Sequence, residues 1–357
     1  MNTLPEPQII VKKNLFPWKK FHSPRKPVAF ISPEQFVRVR EFNKRIKSGE
    51  IQFESVSCLC QNNEFDLIAS VDRYGFFQKT IICRNCGLIQ SNPRMTNAEY
   101  SKFYSSDLYS RCYQGEDYLS ISKKRYNMET GRHIFDEINK LKRIDKDTTV
   151  FEFGAGGGWN LLPFIKAGAK VIGVDYSHDL VRLGREYGIN MIQGGVDKIE
   201  GSFDIVILSH VLEHILDPID FLKCLTRNLK RDGIIYIAVP NILNFDLPQI
   251  QNAHVYYFVP ETFRYYCSQA GLFQLAEGTA QDIHMFGIFS PTINPANFMI
   301  NGHYKNIVVH LHKMKTRLFI RDMISYSGLR PIVKIVRGSL QAGDGKIKQI
   351  LQKNGQN

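Results

Sequence analysis

The sequence predicts an α/β chain built around a doubly wound, mostly parallel seven-stranded sheet. From residue 148 onward, short apolar segments of strand length alternate with segments of helical periodicity, as expected when helices connect parallel strands. The apolar run Thr149-Val150-Phe151 leads directly into the turn Gly154-x-Gly156-x-Gly158. Glycine has no Cβ, so its backbone can turn tightly and lie close to a ligand. A strand, such a turn and a helix N-terminus together indicate a nucleotide-binding site.

This pattern predicts the individual strands and helices of the sheet domain. Strands are expected at 149–153, 170–174, 190–193, 203–208, 234–239, 272–278 and 284–290, and helices at 159–167, 178–187, 218–230 and 260–271. In such a sheet the ligand lies at the carboxyl ends of the strands. The turn at Gly154 occupies that place.

Two capping boxes predict helices ahead of the sheet domain. Ser32-Pro33-Glu34-Gln35 would open a basic helix that runs to about Lys47 and ends at Gly49. Thr96-Asn97-Ala98-Glu99 would open a short helix through Tyr104. In each box the first side chain can accept from the third helical N–H, and the last side chain reaches back to the cap.

Three further segments have apolar residues at helical spacing. Residues 117–141 predict one or two helices, with Gly131 as a potential break. Residues 303–325 and 328–351 mix apolar and basic residues, and we expect amphipathic basic helices there.

The two ends of the chain carry its positive charge. Residues 1–50 hold eleven Lys/Arg against four Asp/Glu, and residues 291–357 hold eleven against two. The whole chain has a net charge of +12, so residues 51–290 have a net charge of −4. Basic ends suggest contact with an anionic surface, either lipid headgroups or nucleic acid. The alternative is that they are simply solvated tails.

Composition and charge divide the chain into four segments. They are a basic N-terminal extension with one helix (1–50), a cysteine-containing module (51–110), the sheet domain (111–290) and a basic helical C-terminal extension (291–357). No apolar run approaches the ~20 residues of a membrane span, and the N-terminus lacks a signal-peptide core. We therefore expect a cytoplasmic protein whose basic ends make peripheral contact with anionic membrane.

Four of the seven cysteines form two close pairs. Cys58-x-Cys60 and Cys83-x-x-Cys86 are separated by 22 residues, and Gly87 after the second pair allows a tight turn. Four thiolates in tetrahedral geometry favour Zn²⁺ and leave no position open, so the predicted zinc is structural. The alternative is four reduced buried thiols. The other three cysteines, Cys112, Cys224 and Cys267, are isolated and are expected to be buried packing residues.

A carboxylate follows the strand after the glycine turn. Asp175 lies 19 residues after Gly156, where it can accept both ribose hydroxyls of a bound nucleoside. Glycine turns paired with such an acid occur in dinucleotide sites and in S-adenosylmethionine (SAM) sites. The dinucleotide pattern requires glycine where this chain has Trp159. A turn that packs the sheet without any ligand is the remaining alternative.

Several motifs in order resemble the class I SAM-dependent methyltransferases over residues 148–290. They are Glu152-x-Gly154-x-Gly156-x-Gly158, Asp175, the run from Phe203-Asp204 into Ser209-His210-Val211-Leu212-Glu213-His214, and the segment Leu229 to Pro240. The resemblance implies that Glu152 and the turn residues Gly154, Ala155, Gly156 and Gly158 hold the methionine end of SAM. It implies that Asp175 holds the ribose, that Tyr176 packs beside the adenine, and that Ser209 and His210 line the floor near the sulfonium.

One departure from the family concerns adenine recognition. Members of the family often have an acid after the third strand, whereas this chain has Gly194-Gly195-Val196. The adenine contact of that acid is therefore missing or made by the backbone.

His210-x-x-Glu213-His214 also matches a zinc hydrolase motif. That function would require a helix, a third ligand and a water-filled cleft. Because the motif directly follows a strand of a nucleotide-binding sheet, we favour a structural role for Glu213 and His214 beside the pocket.

The cysteine module carries a second resemblance, over residues 55–110. The run Cys83-Arg84-Asn85-Cys86-Gly87-Leu88 through Asn92-Pro93-Arg94 resembles the zinc modules joined to sugar methyltransferases, including sugar C-methyltransferases and bacterial surface-polysaccharide enzymes. Zinc modules also occur on rRNA methyltransferases, so this resemblance leaves the acceptor open.

His254 is the first candidate for a catalytic base, because it precedes an aromatic run on a loop expected over the carboxyl edge of the sheet. In the sugar methyltransferases that this region resembles, a histidine at this place serves as the base. Their C-methylating members carry an acid before it, and this chain has Ala253, which favours O-methylation. The alternative is a histidine that caps the helix at Pro260. His210 is the second candidate, and Tyr104, Tyr109 and Tyr113 are candidates to line an acceptor cleft.

The leading hypothesis is a SAM-dependent methyltransferase with a structural zinc module, acting on a nucleotide- or lipid-linked sugar in surface-polysaccharide biosynthesis. One alternative acceptor is RNA, which is not favoured because no compact basic patch is interleaved with aromatic residues. Another alternative is a zinc-bearing scaffold that binds SAM without catalysis. NAD-dependent oxidoreduction is disfavoured by Trp159 and by the His210 segment.

Overall fold

The computed structural model describes residues 7–17, 21–24, 27–29, 31–105, 109, 119–196, 199–243, 250–280, 284–291, 300 and 302–326. Residues 1–307 belong to one compact unit and residues 308–357 to a second. Three predictions lie outside the described residues, namely those for Cys112, for Tyr113 and for a helix over 328–351.

The first third of the chain forms short strands and two helices. In chain order these are β1 (Ile10–Asn14), α1 (Pro33–Lys47), β2 (Phe53–Glu54), β3 (Glu64–Val71), β4 (Phe77–Cys83), β5 (Ile89–Ser91), β6 (Arg94–Met95) and α2 (Asn97–Ser105). The capping box of α1 is present, since Ser32 Oγ accepts from the Gln35 N–H at 3.2 Å and Gln35 Oε1 accepts from the Ser32 N–H at 2.8 Å. Gly49 has a positive φ of 76°, as expected for the residue that ends this helix.

The rest of the described chain alternates helices and strands. These are α3 (Ile121–Asn139), β7 (Thr149–Phe153), α4 (Leu162–Lys166), β8 (Lys170–Asp175), α5 (His178–Glu186), β9 (Met191–Gln193), β10 (Phe203–Ser209), α6 (Pro218–Thr226), β11 (Leu229–Pro240), β12 (Tyr256–Tyr257), α7 (Pro260–Gln269), β13 (Leu272–Ala280), β14 (His284–Pro291) and α8 (His303–Tyr326). Two 3₁₀ turns, Trp159–Leu161 and Leu212–His214, follow β7 and β10.

Seven of these strands form the predicted sheet, in the order β13-β14-β11-β10-β7-β8-β9. The strands from β11 to β9 pair in parallel, and β14 and β13 are antiparallel. The doubly wound, mostly parallel seven-stranded architecture is therefore confirmed. It places the ends of β7, β8 and β10 side by side at one edge, where ligands bind in such folds.

Both faces of this sheet are covered, because successive residues of its strands enter two different cores. Along β10, Val206 packs with one hydrophobic cluster, while Ile205 and Ile207 pack with another, and all three are fully buried. The first cluster includes residues of α6 and α7, and the second includes residues of α3. A strand whose side chains alternate between two apolar layers reads as a nearly continuous apolar run.

Two expectations about helices need correction. The helix predicted for 218–230 ends at Thr226, because Leu229 already pairs with Phe203 as the first residue of β11. Gly131 does not break α3. A Cβ at Gly131 would come within 2.6 Å of the Asn160 Cα atom, so this glycine permits close packing of α3 against the segment after the glycine turn.

A second sheet ties the cysteine module to the sheet domain. Its strand order is β1-β3-β4-β5-β12, so a strand from the segment after β11 lies beside β5 of the module. Tyr256 pairs with Gln90 and Tyr257 with Ile89. This pairing fixes the segment 250–258 between the cysteine module and the carboxyl edge of the seven-stranded sheet.

Within the part of the chain that the structure describes, none of the helices combines the length and the apolar character that a membrane span requires.

Candidate active site

The glycine turn leaves β7 and wraps back over the sheet edge. Gly154, Gly156 and Gly158 have positive φ values of 68°, 56° and 77°, a conformation that residues with a Cβ rarely adopt. A Cβ at Gly156 would meet none of the described residues within 4 Å, so the turn is open to them on that side. A Cβ at Gly154 would come within 2.6 Å of Val211 Cγ2. The turn is therefore closed toward the protein and open toward the place where a ligand would lie.

Asp175 ends the neighbouring strand and braces the turn. Its Oδ2 accepts the Gly156 N–H at 2.8 Å, and its Oδ1 accepts the Ser177 N–H at 2.8 Å. Burial raises the pKa of Asp175 above its usual value, while these backbone donors pull it down. The carboxylate thus lies beside the turn and is held by backbone donors that follow the ends of β7 and β8.

Glu152 lies under the turn and is fully buried. The Asn160 side-chain amide donates to its Oε1 at 2.7 Å, whereas Oε2 has no hydrogen-bond partner among the described residues. Burial raises the pKa of Glu152 to about 8. A buried carboxylate oxygen without a donor costs free energy unless something binds it. Glu152 therefore fits the ammonium group at the methionine end of SAM.

Tyr176 follows Asp175 and exposes its ring. The side chain is 58% exposed and packs edge-on against Phe153 with ring centroids 6.3 Å apart. An exposed aromatic ring beside the ribose position can stack on an adenine. Gly194, at the place of the missing acid, donates its N–H to the backbone carbonyl of Asp175 at 3.0 Å. No carboxylate is present at 194–196, in line with the departure noted in the sequence.

Ser209 and His210 stand at the end of β10, on the same edge. His210 has a positive φ of 58°, which turns the chain away from the sheet. Its ring lies edge-on to His284 with centroids 4.2 Å apart. Burial lowers the pKa of His284 to about 4. His284 was not singled out in the sequence, since only the antiparallel β14 brings it back to this edge.

The turn Leu212–His214 places Glu213 beneath several imidazole rings. Glu213 is 1% exposed, and its Oε1 lies 3.5 Å from His210 Nδ1, 3.9 Å from His214 Nε2 and 3.9 Å from His254 Nε2. Burial raises the pKa of this carboxyl, but the His210 and His214 imidazoles outweigh burial and lower it below the usual value. The zinc hydrolase alternative requires a helix here, and the chain forms a short 3₁₀ turn instead.

His254 lies in the segment between β11 and β12, and only 8% of it is exposed. Its Nε2 contacts the Gln251 Nε2 atom, and its ring lies 4.8 Å from that of His214. Burial holds the pKa of His254 well below its usual value, so the ring is neutral. His254 does not cap α7, because Thr262 Oγ1 accepts the Val259 N–H at the start of that helix.

Tyr104 joins the cysteine module to this histidine group. Its hydroxyl lies 2.9 Å from His214 Nδ1 and donates to the Ala253 carbonyl at 3.0 Å. Tyr109 packs edge-on against Tyr104 with centroids 4.9 Å apart. Of the three predicted cleft tyrosines, Tyr104 is half-buried and holds His214, and Tyr109 is half-buried beside it.

The four paired cysteines converge at one point of the module. Cys58 Sγ lies 3.5 Å from Cys86 Sγ, and Cys60 Sγ lies 3.6 Å from Cys83 Sγ. All four sulfur atoms lie within 4.8 Å of one another. Sulfurs that share a tetrahedral zinc at about 2.3 Å lie roughly 3.8 Å apart. The Asn62 side chain donates to Cys83 Sγ at 3.3 Å, and the Leu88 N–H donates to Cys86 Sγ at 3.4 Å.

Asn160 and Gln251 belong to the site and were missed in the sequence. Each is an uncharged amide that contacts a candidate residue, Glu152 and His254 respectively. A single amide side chain carries no distinctive sequence pattern. The only available signal for Asn160 was its place two residues after the last glycine of the turn.

Comparisons with known proteins agree with this geometry. Residues 125–277 match the family model described as a methyltransferase domain. The human mitochondrial ubiquinone biosynthesis O-methyltransferase is 29% identical over 105 residues, which cover 26% of this chain and 28% of that protein. The ubiquinone biosynthesis O-methyltransferase from Hydrogenovibrio crunogenus is 26% identical over 172 residues, which cover 41% of this chain and 70% of that protein. The one from Methylococcus capsulatus is 31% identical over 100 residues, which cover 25% of this chain and 42% of that protein.

Solved structures of other proteins are similar to about half of this chain. The 1,6-didemethyltoxoflavin-N1-methyltransferase of Burkholderia thailandensis is 17% identical with a TM-score of 0.45, covering 57% of this chain and 96% of that one. A putative SAM-dependent methyltransferase from Listeria monocytogenes is 15% identical with a TM-score of 0.39, covering 46% and 99%. The sheet order, the open glycine turn and the family match together identify residues 125–277 as a SAM-dependent methyltransferase domain of the class I, Rossmann-like type.

Proposed function

We propose that this chain transfers the methyl group of SAM to a hydroxyl oxygen of a small acceptor. The observation that carries the proposal is the pair of carboxylates on neighbouring strands that flank the open turn. Glu152 offers a cationic group an oxygen that has no partner in the described part of the chain, and Asp175 is positioned for ribose hydroxyls. Gly154, Ala155, Gly156 and Gly158 complete the cradle, Tyr176 offers an exposed ring for adenine, and Ser209 lies at the sulfonium end.

The transfer requires an aligned oxygen and a group that takes its proton. The acceptor oxygen forms a bond to the methyl carbon while the bond between that carbon and sulfur breaks. The electron pair of the broken bond stays on sulfur. His210 and His254 are the candidate bases. The His210 side chain is 32% exposed and that of His254 is 10% exposed, so His210 is the better placed to meet an acceptor. Positioning of the two reactants supplies most of the rate in such displacements.

We infer an acceptor of the nucleotide- or lipid-linked sugar class. Ala253 before His254 supports O-methylation, and the matched relatives are named O-methyltransferases. Their names refer to ubiquinone biosynthesis, so a phenolic hydroxyl is the acceptor to compare with a sugar. The sugar proposal rests on the resemblance of the cysteine module.

A structural zinc ion is part of the proposal. The sulfurs of Cys58, Cys60, Cys83 and Cys86 have the spacing of a tetrahedral site, and side-chain and backbone N–H groups donate to three of them. Such donors stabilise thiolates, which are the form that binds zinc. The basic ends are proposed to contact anionic lipid peripherally.

Calorimetric titration with SAM tests the donor. Wild type should bind SAM, and Asp175→Ala should bind it about 10- to 100-fold more weakly, since a hydrogen bond to a charged group is worth about 1.5–3 kcal/mol. Asp179→Ala, an exposed acid on α5, is the matched control and should bind like wild type. Absence of binding by wild type, or equal affinity of Asp175→Ala, would overturn the proposal.

Release of S-adenosylhomocysteine then identifies the acceptor class. Nucleotide-linked sugars, a lipid-linked sugar, a catechol and structured RNA would be compared at equal concentration. Turnover with the sugars alone supports the proposal. Turnover with RNA alone favours the RNA alternative, and SAM binding without any turnover favours the scaffold alternative.

A further inference from the structure

The structure assigns a second metal site, separate from the four cysteines, to Glu213, His214 and His254. We propose that these three side chains bind a divalent first-row cation such as Zn²⁺ through one carboxylate oxygen and two imidazole nitrogens. One ligand atom from each of the three residues lies within 4.8 Å of the others. The proposal concerns metal binding and does not depend on the proposed methyl transfer.

The carboxylate of Glu213 is the first observation. Glu213 is 1% exposed, and neither carboxylate oxygen has a hydrogen-bond donor among the described residues. The nearest polar atoms are imidazole nitrogens at 3.5–3.9 Å, beyond hydrogen-bond distance. A buried carboxylate without a hydrogen-bond donor is costly, and buried charges are normally paired or coordinate metals.

The second observation is the tautomer of His214. Its Nδ1 lies 2.8 Å from the Ala253 carbonyl oxygen, which can only accept. Nδ1 therefore carries the proton, and in the neutral ring Nε2 presents a lone pair toward Glu213 Oε1 at 3.9 Å. Two lone pairs that face each other in a buried site repel unless a cation lies between them. Histidine ligands of metals characteristically donate their other ring N–H to a backbone carbonyl, as His214 does.

His254 completes the set. The Gln251 Oε1 atom accepts from Arg73 Nη2 at 2.9 Å, so the Gln251 amide nitrogen faces His254 Nε2 and donates to it. The His254 Nε2 atom is therefore unprotonated, as a metal ligand must be. It lies 3.9 Å from Glu213 Oε1. Binding of a cation at Nε2 requires that the Gln251 amide turns away.

The distances and ligand types select the class of metal. Ligands about 2.1 Å from a tetrahedral ion lie roughly 3.4 Å apart, so the observed 3.9 Å separations need an inward movement of a few tenths of an ångström. Two imidazoles and a carboxylate suit Zn²⁺ and its first-row neighbours better than Ca²⁺ or Mg²⁺. Three protein ligands leave a further position for water or an oxygen of another molecule.

Titration with Co²⁺ distinguishes the cysteine site from the histidine site in the full-length protein. Bound metal is first removed with a chelator. Thiolate ligands give intense near-ultraviolet charge-transfer bands, and nitrogen and oxygen ligands give only weak visible bands. We expect two equivalents to bind, the first with the charge-transfer bands and the second without them. Saturation at one equivalent that carries the charge-transfer bands would overturn the proposal.

Variants locate the second equivalent. Glu213→Gln and His254→Ala should each lose one metal equivalent by elemental analysis and keep the charge-transfer bands of the first. Gln251→Ala removes only the competing donor, and His178→Ala changes an exposed histidine, so both should keep two equivalents. Glu213→Gln also removes a buried charge, so the metal-free variant should melt no lower than metal-free wild type. Retention of both equivalents by Glu213→Gln and His254→Ala would contradict the assignment.

Discussion

The Asn160 side-chain amide donates a 2.7 Å hydrogen bond to one carboxylate oxygen of Glu152, and the other oxygen has no hydrogen-bond partner among the described residues. Asn160 lies just past the glycine turn, and its backbone packs against Gly131 of α3. These contacts link α3, the glycine turn and the buried Glu152. The first three predictions below follow from this arrangement.

SAM binding should release a proton from Glu152 below about pH 8. The pKa of this buried acid is raised to about 8, whereas a bound ammonium group favours the ionised form. Affinity should rise as pH increases from 6.5 to 8 and then level off. Titrations in two buffers of different ionisation enthalpy measure the proton count. Glu152→Gln should bind more weakly and release no such proton, and equal proton release by this variant would contradict the assignment.

Without ligand, Glu152 should make stability depend on pH. Its pKa is about 8 in the folded protein against a usual value of 4.5, so the folded state binds the proton more tightly. The contribution of Glu152 to the free energy of unfolding is then fully present below about pH 4.5 and is lost as pH rises to about 8. Urea unfolding should show that the free energy of unfolding falls less with pH in Glu152→Gln than in wild type over this range. If the free energy of unfolding depended on pH in the same way in both proteins, burial would not raise the pKa of Glu152.

Gly131→Ala should destabilise the domain despite the higher helix propensity of alanine. The new Cβ would come within 2.6–2.8 Å of Asn160 backbone atoms, which cannot move without disturbing the turn. Overpacking of this kind costs about 1–3 kcal/mol and should exceed the gain of about 1 kcal/mol in propensity. Urea unfolding measures the difference. Arg132→Ala, at an exposed position of the same helix, is the control and should change stability by less than about 0.5 kcal/mol. A Gly131→Ala variant as stable as wild type, or more stable, would refute close packing at this position.

Loss of zinc should weaken the cysteine module and the segment that it anchors. Cys86→Ser removes one of the four converging sulfurs, so the variant should contain no zinc at this site. We expect a melting temperature about 10 °C lower, because removal of a structural metal costs several kcal/mol in a chain of this size. Cys224→Ser, outside the cluster, is the control. Unchanged zinc content and melting temperature in Cys86→Ser would show that the thiols are only packing residues.

The basic C-terminal segment should bind anionic lipid. Residues 327–357 contain six Lys/Arg and one Asp, and each basic residue near an anionic surface is worth about 1 kcal/mol. Full-length protein should float with phosphatidylglycerol vesicles at low salt and less so at high salt. Truncation after Tyr326 should reduce flotation and leave SAM binding unchanged. Equal flotation of both proteins would argue against membrane contact through this segment.

The local sequence was sufficient to predict the seven-stranded sheet and the glycine turn. Apolar period and turn chemistry are local properties, so strands such as 149–153 were predicted at their observed bounds. The convergence of Cys58, Cys60, Cys83 and Cys86 also agrees with their spacing, since each pair is only two or three residues apart.

Local signals failed where tertiary pairing competes with propensity. The helix predicted to reach 230 stops at Thr226, because pairing of Leu229 with Phe203 draws the following residues into β11. Gly131 was named as a potential break in a helix, and it instead permits α3 to pack closely against Asn160.

The sequence by itself determined the sheet, the turn, the acid that follows it and the cysteine pairs, because each depends on residues close together in the chain. Only the tertiary structure decided how His254 meets Glu213 and His214. That meeting requires β12 to pair with β5 of the cysteine module, which holds the segment 250–258 against the carboxyl edge of the sheet. Contacts between residues about 40 positions apart leave no periodic trace in a single sequence, since the strand pairing that creates them is set by distant partners.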